Sequence, residues 1–189
     1  MIARRLFLFG FAAALITAFG CSSGSDNTDG GGTPAPAIVC TDGGAAGADA
    51  VTLNCGGATN STTERVNVVI GGPASGTTSL RGLNFDVTYD PTKLNFVPAA
   101  IPTSPLFPAA LVAVSLENGV PGRVVVAIQQ PGSDPNVVVT GGQHAVLTLT
   151  FSRASGMSFA PTPLAFENAE ATSASAPIAF SSGLALSYP

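Results

Sequence analysis

The chain has 189 residues, with 7 Lys and Arg against 11 Asp and Glu, and only 10% of its residues are charged. That balance excludes a basic nucleic-acid binder and a charge-laced coiled coil. With 22 Gly and 15 Pro it also argues against a helical bundle, and the length suits one substantial all-β exported domain.

Arg4 and Arg5 open the chain, and residues 6–19 form an uncharged run of fourteen. The run is shorter than the roughly 20 residues a helix needs to span a bilayer. A basic start followed by a short apolar core and small residues predicts a secretory leader over residues 1–20. The run ends at Ala18-Phe19-Gly20-Cys21-Ser22, which resembles the bacterial lipoprotein lipobox, with Ala18 where that motif usually has Leu. The resemblance implies lipid attachment at Cys21. Ser22 behind it implies the outer membrane or cell surface, with contact to the membrane through the N-terminal lipid only.

Cysteine counting supports that reading. Three Cys in an exported chain leave one odd thiol unless Cys21 is acylated. Cys40 and Cys55 then remain as a pair with fourteen residues between them. No CxxC or Cys/His cluster supports a metal site, so the pair reads as a disulfide. Residues 21–36 contain no large apolar side chain and are predicted to be a flexible tether. Asp26, Asp29 and Asp42 raise the question of Ca²⁺, but their spacing lacks the EF-hand ligand series, and no cofactor or metal is expected.

From residue 37 to 189 short apolar runs alternate with turn clusters. Nine strands are predicted, at 51–55, 66–70, 83–89, 94–97, 111–116, 123–129, 145–151, 164–171 and 184–188. In the third, Leu83, Phe85, Val87 and Tyr89 alternate with Asn84, Asp86, Thr88 and Asp90, giving one apolar and one polar face. Asp90-Pro91-Thr92 then turns the chain, because Pro fixes φ and Asp bonds to an amide just ahead. Residues 108–115 have alanines suited to a helical turn, but Val112, Val114 and the flanking prolines favour extension. Short strands punctuated by Gly and Pro predict a two-sheet sandwich.

Residues 82–96, GLNFDVTYDPTKLNF, resemble the cohesin family's strand-turn-strand pattern of Gly, apolar, x, Phe, x, apolar, x, Tyr-Asp-Pro, x, x, Leu. Similar segments follow in the family's order at 122–128, 146–151, 163–171 and 184–188, so the likeness covers residues 48 to 189. It implies a nine-stranded jelly-roll-like sandwich in which Tyr89, Asp90 and Pro91 form a structural turn. It also implies a non-catalytic module that binds a protein module of dockerin type on one sheet face, in the setting of polysaccharide breakdown.

From the residues themselves, a low-charge face loses its water cheaply. Asn84, Thr88, Gln129, Gln130, Thr148 and Thr150 are the candidates for it, on a chain expected to be monomeric. Direct glycan binding is the alternative, with Tyr188 as the aromatic expected to be exposed. Catalysis finds little support. His144 is the sole histidine, no G-x-S-x-G elbow occurs, and Glu167 and Glu170, an odd count apart on a strand, would face opposite sides. No enzymatic activity is expected.

Overall fold

The computed structural model describes residues 37–158 and 160–189, so the leader, the tether and Cys21 lie outside the described residues. Fourteen strands follow one another: β1 (Val39–Thr41), β2 (Ala50–Asn60), β3 (Thr63–Gly71), β4 (Thr78–Leu80), β5 (Gly82–Thr88), β6 (Leu94–Phe96), β7 (Leu111–Leu116), β8 (Arg123–Gln129), β9 (Val137–Val139), β10 (Gln143–Arg153), β11 (Thr162–Pro163), β12 (Ala165–Thr172), β13 (Ala179–Ser181) and β14 (Ala185–Ser187). One 3-10 turn, Glu117–Gly119, links β7 to β8.

Nine of these strands build the sandwich. One sheet has the order β13-β2-β3-β10-β6, and the other has β12-β5-β8-β7. All neighbours are antiparallel except β13, which runs parallel to β2. The remaining five strands form two small sheets, β1-β14-β11 and β4-β9; of these only β14 lies in a predicted strand, and β13 of the larger sheet was also not predicted. Residues 108–110 are not helical, and residues 111–116 are extended, as the β-branched valines require.

Alternation sets the core. Leu83, Phe85 and Val87 of β5 and Val124, Val126 and Ile128 of β8 point inward. Val66, Val68 and Ile70 of β3 and Leu147, Leu149 and Phe151 of β10 meet them from the other sheet. Phe85 packs edge-on against Phe166 at 5.3 Å between ring centroids, and Tyr89 does the same against Phe151. Residues 97–110 cross from β6 to β7 and drop Phe107 into the core along the way.

The Tyr89-Asp90-Pro91 turn forms as its residues dictate. The Asp90 carboxylate accepts hydrogen bonds from the Thr92 amide at 2.9 Å and the Thr92 hydroxyl at 2.6 Å. Those bonds, with Lys93 nearby, hold its carboxyl below the usual Asp range. The stability they contribute is therefore present above that range and is lost as pH falls.

Glu64 behaves in the opposite way. It is buried at the end of β3, and burial pushes its carboxyl upward against the Gly57 amide and Arg65, which pull it down. A raised folded-state value means that the native chain holds its proton more tightly than the unfolded chain, so this group lowers stability as pH rises above the ordinary Glu range. Glu64→Gln, which keeps the neutral shape, is expected to raise the melting temperature at pH 7 and to leave it nearly unchanged at pH 3. Scanning calorimetry at the two pH values checks this.

Cys40 and Cys55 are joined, with Cα atoms 5.8 Å apart. The bridge ties β1 to the middle of β2. The Asp42 carboxylate accepts from the amides of Gly44 and Cys55, so it serves the backbone here.

Candidate functional site

The two outer faces of the sandwich are unequal. Over the five-stranded sheet, residues 42–49 fold back across the end of β3. The Gln143 side chain clips this loop through both the amide and the carbonyl of Ala46, at 3.0 and 2.7 Å. Gly71 lies directly beneath, where a Cβ would stand 2.1 Å from the Gly47 carbonyl oxygen, so only glycine fits. On the same sheet, residues 99–105 fold against Thr148 and Thr150, leaving a groove of about 280 Å³.

Among the described residues no loop is clipped across the four-stranded sheet in this way. Its register lines up the outward residues in rows across β12, β5, β8 and β7. One row runs Glu167, Asp86, Val125, Ser115 and the next Glu170, Asn84, Ala127, Ala113. A third runs Thr172, Gly82, Gln129, Leu111, and Ala165, Thr88 and Arg123 end the array. The middle is small and apolar, formed by Val125, Ala127 and Ala113, with Leu111 76% exposed at one corner. A Cβ on Gly82 would meet the Ile128 carbonyl oxygen at 2.2 Å, which keeps that position bare.

Polar groups gather around Arg123 and along the β12 side, where they already satisfy one another. Arg123 reaches Asp86 at 3.4 Å, Glu117 at 3.3 Å and Glu167 at 2.5 Å. Asn168 donates to Asp86 at 2.7 Å, and Asn84 donates to Glu170 at 3.0 Å. Asp86, Glu167 and Glu170, three carboxylates against one guanidinium, leave the β12 margin acidic, while Glu117 lies past the end of β7. The centre of the face presents no side-chain polar atom that a partner would have to satisfy, so covering it costs little desolvation.

The predicted face residues divide between the two sheets. Asn84, Thr88 and Gln129 do lie on the outer four-stranded face. Thr148 and Thr150 lie on β10, on the other side of the molecule, where Thr148 donates to Asn67 at 2.8 Å. Alternation told inward from outward but not which sheet a strand joins, so the five do not form one surface. Gln130 is buried, with its amide bonded to the Arg81 carbonyl. Glu167 and Glu170 face the same side, contrary to the odd-count expectation. A bulge shifts the register between them, and Asn168 adopts φ 48° within it.

Sequence reasoning missed the apolar centre. The signal was present in Val124 to Ile128, a run apolar on both faces of a strand whose neighbour β5 is polar outside.

Among the described residues no aromatic ring is exposed, and Tyr188 is half-buried with the Arg153 guanidinium 3.6 Å above its ring. That contact covers a face on which a sugar would stack. The His144 ring lies 3.0 Å from the Thr140 carbonyl oxygen. The groove beside Thr148 and a shallow hollow at residues 171–178 are lined without an ionisable side chain.

No protein-family model matches the sequence, and no curated protein matches it. Solved structures do share its fold. The sixth cohesin of Acetivibrio cellulolyticus scaffoldin B, solved in complex with a Cel5 dockerin mutant, superposes with a TM-score of 0.52 at 15% identity, over 71% of this chain and 94% of that one. The seventh ScaB type I cohesin from Pseudobacteroides cellulosolvens gives 0.52 at 16% identity, over 71% of this chain and 88% of that one. At such identities the likeness establishes the fold, which is that of a cohesin module.

Proposed function

We propose, from a cohesin fold with one open sheet, that the chain is a non-catalytic binding module. It presents the outer face of β12-β5-β8-β7 to a protein module of dockerin type. The observation that supports this reading most is the asymmetry of the two faces: residues 42–49 and 99–105 fold over one, and the other stays flat and apolar at its centre. Cohesins solved with dockerins bound lend the partner class.

Lipid at Cys21 and the polar stretch 21–36 would hold this face away from an outer membrane, where the module would recruit proteins, including enzymes that act on polysaccharides. The binding chemistry is burial of small apolar side chains at the centre, with the acidic β12 margin selecting charge at the rim.

Immobilised full chain exposed to a panel of purified dockerin modules is the test. Saturable binding at 1:1 stoichiometry by titration calorimetry is expected with at least one module. No binding by any module, nor by proteins of the source organism's own secretome, would overturn the reading.

A further inference from the structure

One small sheet, β1-β14-β11, contains strands of three, three and two residues. These strands are thinly laddered, yet Leu164, Leu184, Leu186 and Ile38 in and around them are buried. β1 pairs with β14 alone, through Val39, Cys40 and Thr41. The chain N-terminal to residue 37 leads directly into this strand. Tension on that segment loads the Ile38–Ser61 backbone bond and then the end of β1, whose three-residue ladder opens one bond at a time.

The Cys40–Cys55 bridge offers tension another route. Cys55 sits in β2, which is eleven residues long and paired on both edges. It is laddered to β3 from Ala50 to Asn60 and to β13 through Ala179, Phe180 and Ser181. The geometry points to the bridge as a mechanical clasp that carries load from the N-terminal segment past β1 into β2. With the bridge in place, only the residues ahead of Cys40 draw out before β2 itself must move. Without it, β1 and residues 42–49 peel first and uncover Leu184 and Leu186. The clasp rests on the described residues alone, and its use by the cell rests on the anchoring proposed above.

Force spectroscopy on the full chain tests this. One handle is placed at the N-terminus and the other at Ser115 of β7 through a non-thiol linkage. A dithiol reductant opens the bridge; it supplies two electrons and two protons, becomes a disulfide itself, and leaves Cys40 and Cys55 as thiols. The bridged chain is expected to give up no more than the few residues ahead of Cys40 before the sandwich opens as a whole. The reduced chain, or Cys40→Ser with Cys55→Ser, is expected to yield first at lower force and release about ten residues, roughly 35 Å at full extension.

With the first handle moved to the C-terminus, reduction is expected to leave the first yield unchanged, which separates a clasp from general weakening. Equal first yields with and without the bridge in the N-terminal geometry would overturn the proposal. So would a reduction effect of the same size from both ends. Hydrogen exchange of the reduced, folded chain gives an independent reading should the double serine variant fail to fold. The amides of β1 and β14 are expected to lose far more protection than those of Val66 to Ile70. Loss by one common factor would mean that the bridge acts on global unfolding only.

Discussion

Phe85→Ala is expected to destabilise the domain by about 3–5 kcal/mol, the usual cost of emptying a buried phenylalanine site. Phe85 is 1% exposed and lies at the centre of an aromatic group, with Phe166 at 5.3 Å and Phe180 at 6.3 Å between ring centroids. Phe166 belongs to β12 of its own sheet and Phe180 to β13 of the other, so the ring ties both layers together. The stability of a domain this size is about 5–15 kcal/mol, and the loss removes a large part of it. Urea denaturation of the variant measures the change. Asn84→Ala, one residue away on the outer face, is the control, with an expected change within about 1 kcal/mol.

Opening the Cys40–Cys55 bridge is expected to cost about 3 kcal/mol, since the fourteen residues between the two cysteines gain freedom chiefly in the unfolded chain. For a domain of about 150 residues that corresponds to a fall in melting temperature of roughly 6–12 °C. The bridged sulfurs pack against the core, and β1 is otherwise held by its three-residue pairing with β14 and by the buried Ile38 just ahead of it, whose amide donates to the Ser61 carbonyl at 3.1 Å. Thermal unfolding with and without a dithiol reductant makes the measurement. An unchanged midpoint would mean that the bridge restrains the unfolded chain far less than its loop length implies.

Much of the fold is legible in the residues because a half-buried strand writes its period into the sequence. Leu83, Phe85 and Val87 alternate with polar neighbours, and the Asp90-Pro91 turn carries its own chemistry. β1, β4, β9, β11 and β13, of two or three residues each, are too short to show a period and went unread, while β6 and β14 of the same length were read as parts of slightly longer segments. The face is harder still. Its identity depends on which sheet each strand enters, a long-range fact that alternation does not carry, and Thr148 and Thr150 were misplaced accordingly. Glu170 turned to the side of Glu167 through a single bulge that no local spacing announces. Tyr188 reads as an exposed ring until Arg153, thirty-five positions earlier, is found stacked on it.

The open face and the covered face also make different demands on sequence. Residues 42–49 and 99–105 reach the five-stranded sheet through specific contacts, a glutamine clip and a bare glycine among them. The four-stranded sheet needs only small outward side chains, and Ala113, Val125 and Ala127 supply them. A flat apolar centre beside an acidic margin is cheap to cover, which suits the surface to the docking role proposed for it.

The most direct test compares two substitutions on opposite sides of the sandwich, using a dockerin module that binds the unmodified chain. Ala127→Arg places a long charged side chain at the centre of the four-stranded face, and Thr148→Arg does the same on the five-stranded face. Thermal unfolding first establishes that both variants fold. Titration calorimetry is then expected to show affinity lowered at least tenfold by Ala127→Arg, about 1.4 kcal/mol or more, and unchanged by Thr148→Arg. Affinity that survives Ala127→Arg and collapses with Thr148→Arg would contradict the account and move the docking surface to the other sheet.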